Sequence, residues 1–147
     1  MSKLVVDNRK ARFEYELLEK HEAGIVLVGS EVKSLRDGKV NLTAAWCQVE
    51  QGEMFLHGAE IQPYSHGNRF NADPTRKRKL LLKREEIRKL HQKVKERGLT
   101  IVPTKIYFTR GIAKVEIALA KGKKLHDKRD AIKKRDQDRE RRRGDES

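Results

Sequence analysis

The apolar pattern of this chain stops at Ala120. From Lys121 to Ser147 only Leu125, Ala131 and Ile132 are apolar, too few to offset the conformational entropy of ordering that segment. The chain therefore divides into a folding unit over 1–120 and a basic C-terminal tail over 121–147, disordered when free. Asp130–Lys134 and Asp138–Arg142 are i,i+4 pairs in the favourable order, so the tail can become helical once a surface supports it.

Composition explains why the tail is left out. Charged residues make up 39% and apolar residues 36% of 147, against roughly 25% and 45–50% in an average soluble protein, which allows one modest core. The 35 Lys and Arg exceed the 22 Asp and Glu to give +13, favouring an anionic partner. That excess is localised. Residues 69–97 hold 12 basic and 4 acidic side chains and 121–147 hold 12 and 7, whereas the rest is neutral. Two basic segments on a neutral scaffold is the pattern expected of an RNA-binding protein. Unbroken apolar runs reach only four residues, as in Ile25 to Val28, so no membrane span and no secretory leader are expected. The single cysteine, Cys47, excludes an internal disulfide and any CxxC motif, and points to a reduced, cytoplasmic setting.

Periodicity outlines the elements. Residues 1–8 read as frayed. Phe13 to Leu18 alternates as a half-buried strand, and Gly24 to Gly29 encloses an apolar run expected to be a strand buried on both faces. Ser30 to Arg36 reads as a short helix with Ser30 as its N-cap and Gly38 at its exit. Trp46–Val49 and Met54–Leu56 flank Gly52 as a hairpin. Pro63 to Pro74 is a long connection of the kind that is more often functional than idle. Lys83 to Arg97 is the strongest helix, with Ile87, Leu90 and Val94 on one face and Gly98 placed for a left-handed exit. Leu99–Phe108 and Ile112–Ala120 form a second hairpin across Thr109-Arg110-Gly111, with Lys114 and Glu116 on its outer face. Five or six strands with flanking helices describe a mainly β, α+β domain, a partly closed antiparallel barrel.

Enzymatic chemistry finds no support in these residues. Gly24-x4-Gly29 is followed by Ser30-Glu31 rather than Lys-Ser/Thr and makes no P-loop. The five histidines show no metal spacing, Cys47 reads as a core filler, and no carboxylate pair stands apart. No cofactor is implied. Binding signals are better. Arg76-Lys77-Arg78-Lys79 immediately precedes Leu80-Leu81-Leu82 and reads either as a solvated loop or as a phosphate clamp held against the scaffold. Lys121-Gly122-Lys123-Lys124 marks the pivot of the tail. Aromatics are only 5%, which disfavours a stacking platform for single-stranded bases and favours shape reading of structured RNA. A generic ribosomal or RNA-chaperone protein and an initiation-type barrel that binds the small subunit directly share this charge layout.

Asn8-Arg9-Lys10-Ala11-Arg12-Phe13-Glu14-Tyr15, Glu22-Ala23-Gly24-Ile25 and Gly29-Ser30-Glu31-Val32-Lys33-Ser34-Leu35-Arg36 resemble, in order, the SsrA-binding (SmpB) family of bacteria. So do Asp73-Pro74 to Leu82, Ala120 to Lys124 and Asp127-Lys128-Arg129. The resemblance implies an OB-like β-barrel and no catalysis. It implies binding to the tRNA-like domain of transfer-messenger RNA (tmRNA, SsrA RNA) and its delivery to stalled 70S ribosomes for trans-translation, nascent-peptide tagging and ribosome rescue. Elongation factor Tu would be met indirectly, through charged tmRNA. Matching RNA-contact positions are Glu22, Leu81 and Lys114, supported by Asn8, Arg12, Lys33 and Arg36, with Arg78, Lys79, Lys121, Lys123 and Lys124 from the basic clusters. Gly122 matches the junction glycine. His126, Asp127, Lys128 and Arg129 match the tail motif that acts in the decoding centre and the empty mRNA channel. By residue chemistry alone, Glu22 reads equally as a structural carboxylate, and Leu81 leans towards the core. The terminal arginines, Arg139 to Arg143, depart from the family pattern.

Overall fold

The computed structural model describes residues 2–63 and 73–123. Its elements in order are β1 (Ser2–Asp7), α1 (Arg9–Glu14), β2 (Tyr15–Ile25), α2 (Gly29–Arg36), β3 (Val40–Asn41), β4 (Trp46–Glu50), β5 (Glu53–His57), β6 (Glu60–Ile61), β7 (Arg78–Leu81), α3 (Arg84–Arg97), β8 (Thr100–Thr109) and β9 (Ile112–Gly122). One antiparallel sheet runs β8-β4-β5-β7-β2-β9, and β9 pairs back onto β8. This closes a six-strand ring. β1 branches from β8, and β3–β6 form a separate two-strand ladder. The core within the ring includes Met54, Leu56, Leu80, Ile101, Ile106, Val115, Ile117 and Leu119, with Cys47 among them. Burial raises the Cys47 thiol pKa.

Both hairpins form where the turn residues require. Gln51 and Gly52 take φ of 52° and 81°, and Arg110 and Gly111 take 53° and 78°, the paired positive angles of a two-residue type I′ turn. The second turn is thus one residue shorter than the sequence suggested, because Thr109 pairs with Ile112. α3 follows its apolar stripe. Ile87 and Leu90 are buried, Glu86 accepts from the Lys83 backbone N–H at 3.1 Å, and Gly98 exits at φ 65°. Lys93 pairs with Glu19, tying this helix to β2.

Five local expectations are corrected. Residues 2–7 are ordered as β1, because β8 offers an open edge from Lys105 to Thr109. Phe13 and Glu14 lie in α1, since Asn8 nucleates a helix there: its Oδ1 accepts from the Ala11 N–H at 3.2 Å. β2 ends at Ile25, so Val26 and Val28 are exposed rather than buried on both faces. In α2 the cap falls at Val28, not Ser30, because Glu31 reaches back to the Val28 N–H at 3.0 Å. β9 also continues beyond Ala120 to Gly122, paired with Glu16 and Tyr15. The tail expectation from residue 124 onwards, and most of the Pro63–Pro74 connection, lie outside the described residues.

The strongest polar node is internal. Arg78 is fully buried and donates through Nε and Nη2 to Glu31 Oε2 at 3.0 and 2.7 Å, and through Nη1 to the Ala59 carbonyl at 2.8 Å. Arg76 donates to the same carboxylate at 3.0 and 2.6 Å. Burial alone would raise the Glu31 pKa; hydrogen bonds from Arg76, the Val28 amide and Arg78 outweigh it and hold the carboxyl below its ordinary value. A lowered native pKa adds stability that is present above the ordinary carboxylate pKa and is lost as pH falls through the native value. Glu31→Ala should cost about 3–5 kcal/mol by leaving Arg78 buried and uncompensated, measured by urea unfolding at neutral pH. The difference from the parent should shrink as the titration is repeated below pH 4.5.

Candidate nucleic-acid interface

Strand register assembles one outer face from residues far apart in sequence. Opposed residues on neighbouring strands point to the same side. One row runs Leu4–Tyr107–Lys114–Gly24–Leu81 across β1, β8, β9, β2 and β7. A second, parallel row runs Asp7–Lys105–Glu116–Glu22. Glu22, Leu81 and Lys114 thus meet around Gly24. Gly24 is small for a reason: a Cβ there would stand 3.3 Å from Leu81 Cβ, so glycine leaves a dip between the leucine and the lysine.

The face is polar and charge-paired rather than simply cationic. Lys114 Nζ lies 3.8 Å from Glu22 Oε2. Tyr107 also meets Glu22; burial first, then the Glu22 charge and hydrogen bond, push its hydroxyl up to about 12, so it remains a donor. Arg12 forms a two-pronged pair with Asp7, extending the charged row, and this interaction lowers the Asp7 pKa. Leu81 corrects the core reading: it is 53% exposed, because its neighbour Leu80 takes the inward position opposite Met54. Beyond Leu4 the face opens into a groove of about 810 Å³ bearing Lys3, Arg36 and Arg110, where the Arg36 guanidinium sits 5.1 Å over the Phe108 ring. Lys33 is exposed on the same helix.

Other candidates are positioned differently. Asn8 is buried, its amide donating to the Pro103 and Leu42 carbonyls at 2.8 and 3.2 Å; it fixes α1 against β8. The run at 76–79 is neither a solvated loop nor an open clamp, because every cation has a carboxylate. Arg76 and Arg78 take Glu31, Lys77 takes Glu50 at 2.7 Å, and Lys79 takes Glu53 at 2.9 Å. A strand places alternate residues on opposite faces, which the run of like charges concealed. Lys121 and Gly122 are exposed at the far end of β9, and the Lys123 N–H donates to the Glu14 carbonyl at 3.0 Å. Lys124, His126, Asp127, Lys128 and Arg129 lie outside the described residues. Tyr107 had no motif of its own, and Gly24 stood in a family-like motif without an assigned role; the register shows where both sit.

A family model described as SmpB protein matches residues 5–146. The chain belongs to the SmpB family. It is 55% identical to the SsrA-binding protein of Moorella thermoacetica, over 94% of this chain and 90% of that one. It is 54% identical to the SsrA-binding protein of Geobacter sulfurreducens, with the same coverage. A solved chain described as "tmRNA-SmpB: a journey to the center of the bacterial ribosome" superposes with a TM-score of 0.72 at 51% identity, covering 88% of this chain and 94% of that one. Sheet closure and helix placement thus agree with the SmpB fold, and no described helix is long and apolar enough to cross a membrane. Because Leu81 is exposed, Leu81→Ser should leave the urea unfolding free energy within about 0.5 kcal/mol of the parent; a larger loss would return this leucine to the core.

Proposed function

We propose that this chain binds the tRNA-like domain of tmRNA through the Glu22–Leu81–Lys114 face and delivers it to stalled ribosomes for trans-translation, peptide tagging and ribosome rescue. The observation that carries the reading is the convergence of those three residues around Gly24, in a chain of the SmpB family. Lys114 and Arg12 supply charged donors to phosphates, exchanging their present carboxylate partners for RNA. Leu81 and the Gly24 dip supply an apolar ledge for a ribose or base edge, and the Tyr107 hydroxyl a neutral donor. Glu22 holds Lys114 and Tyr107 in place and accepts from RNA hydroxyl or amino groups. The paired charges make this a shape-reading surface.

The second half of the proposal concerns the tail. Eight residue steps along β9 separate Lys114 from Gly122, roughly 27 Å at a strand's rise. The tail therefore leaves the barrel far from the RNA face, with Lys121, Lys123 and Lys124 flanking the pivot. His126, Asp127, Lys128 and Arg129 then act at the decoding centre and in the mRNA channel. The protein works in the cytoplasm and meets elongation factor Tu only through charged tmRNA.

Lys114→Ala should weaken binding to the tRNA-like domain by about 1 kcal/mol, the net value of a typical hydrogen bond, read by gel shift; unchanged affinity would remove Lys114 from the interface. Truncation after Gly122 should preserve that affinity and abolish tagging in a stalled-translation assay. In competition from about 50 to 300 mM salt, the preference for tmRNA over ordinary tRNA and an unrelated hairpin should survive at the high end, since bulk counterion release is not its main source. Equal release of all three RNAs would favour a generic basic ribosomal-type protein.

A further inference from the structure

Two carboxylates stand directly opposite each other in the middle of the proposed RNA face. Glu22 on β2 and Glu116 on β9 are register partners. Like charges opposed across a strand pair destabilise it, and a face that only had to attract phosphate would use neither. Glu22 has its task, since it meets Lys114 and Tyr107. Glu116 has none so far.

Its side chain is held by a bulge in β8. The β8–β9 register shifts between Pro103 and Lys105 and leaves Thr104 without a partner; a bulge re-aims the side chain it frees. Thr104 is only 1% exposed. Its hydroxyl lies 2.5 Å from Glu116 Oε2 and 3.2 Å from the Glu116 carbonyl oxygen. A hydroxyl has one proton, and the shorter, charge-assisted bond takes it. Asn8 grips the same bulge: its N–H donates to the Thr104 carbonyl at 2.7 Å, and its side-chain amide to the Pro103 carbonyl at 2.8 Å. A buried hydroxyl on a braced bulge thus fixes the carboxylate before any ligand arrives.

The other carboxylate oxygen faces outward. Glu116 Oε1 lies 3.9 Å from Lys105 Nζ, too far for a hydrogen bond, and the side chain is 21% exposed. Alternate residues of β9 share this wall. The next two, Ala118 and Ala120, are covered, and Ala120 lies under α1, where Ala11 packs against it and Val102. Glu116 stands where that cover ends. Arg12, raised first by its Asp7 partner, and Tyr107, raised first by burial, both also feel the Glu116 charge. A phosphate approaching between Glu22 and Glu116 is repelled by both. The free oxygen accepts from N–H groups instead, and an RNA offers those only on its bases.

We propose that Glu116, held by Thr104, is a specificity-determining residue that accepts from a base N–H group of the tRNA-like domain. This deepens the reading of the Glu22–Leu81–Lys114 face as an RNA site and rests on it. Arg12, Lys105 and Lys114 supply an attraction that any RNA satisfies. Glu116 makes that attraction conditional, because a phosphate placed there meets an unmatched negative charge. Thr104 is a positioning residue that acts through the carboxylate. Neither residue falls in a segment that resembles the family by sequence, and the bulge that joins them is visible only in the register.

Binding of the full-length protein to the tRNA-like domain and to an unrelated hairpin, at one salt concentration, tests this. In Glu116→Gln the amide oxygen stays with Thr104 and an NH2 group faces the RNA, so the shape is kept and the acceptor lost. Affinity for the tRNA-like domain should fall about 10- to 100-fold, the range for a hydrogen bond to a charged group. Affinity for the hairpin should rise about two- to fivefold, because one exposed repulsive charge is gone. Thr104→Val should lower only the first affinity, about two- to tenfold, the cost of immobilising one side chain. Thr104→Ser should restore it, and circular dichroism would verify that each variant folds. Opposite signs on the two RNAs are the signature that a structural role does not produce. A glutamine variant that binds both RNAs like the parent, gains on both or loses on both overturns the proposal. Should glutamine prevent folding, the Val and Ser variants decide: equal binding of the tRNA-like domain by both overturns it. A parent that shows no preference for the tRNA-like domain over the hairpin instead defeats the proposed function, a result read before any variant is made.

Discussion

The buried Glu31–Arg78 pair decides whether the barrel closes in this form. β7 is only four residues long, yet it bridges β5 to β2 and completes the ring. A strand that short has few ladder bonds, and Arg78 anchors it from inside to α2 through Glu31 and to the start of β6 through the Ala59 carbonyl. The Pro74 carbonyl also accepts from Arg78, at 3.0 Å, fixing the chain as it enters β7. Such a pair contributes little net stability over an apolar substitute, because both charges leave water. Its geometry is demanding, however, and that demand sets the register of β7. Register in turn places Leu80 inward and Leu81 outward.

That outward leucine links the core to the proposed RNA face. A slip of one residue in β7 would invert the alternation, burying Leu81 and turning Lys79 and Leu80 to the wrong sides. The same logic extends across the sheet, where Gly24 accommodates Leu81 and Lys114 aligns with both. The proposed interface is therefore a property of five strands in register, and Arg12, Lys105 and Lys114 upon it each come with an acid. Specificity for a folded RNA benefits from this arrangement, because paired charges give less indiscriminate attraction to every phosphate.

The long β8–β9 hairpin spans the barrel from end to end. Its turn end lies near Lys114 and Tyr107, and its open end reaches Gly122. A closed barrel suits a protein that must touch several RNA surfaces at once, since every outward position on its wall is held by a rigid ring.

Much of the fold was legible in the sequence wherever local chemistry dominates. The Gln51-Gly52 and Arg110-Gly111 turns, the stripe and glycine exit of α3, the alternation of β9 and the burial of Cys47 all follow from short-range rules. So did the end of the apolar pattern and the family, whose ordered motifs span nearly the whole chain. Local rules misled where a distant partner overrides them. Ser2–Asp7 is a strand only because β8 presents an edge, and Phe13 is helical because Asn8 caps it while bound to Pro103 and Leu42. The run of four cations at 76–79 looked uniform, but pairing with Glu31, Glu50 and Glu53 gives its members separate roles. The sequence by itself determined the turns, the strongest helix, the charge segments and the family, since each depends on residues near one another in the chain. Only the tertiary structure decided which side chains share a wall, because strand register is set by contacts between residues tens of positions apart.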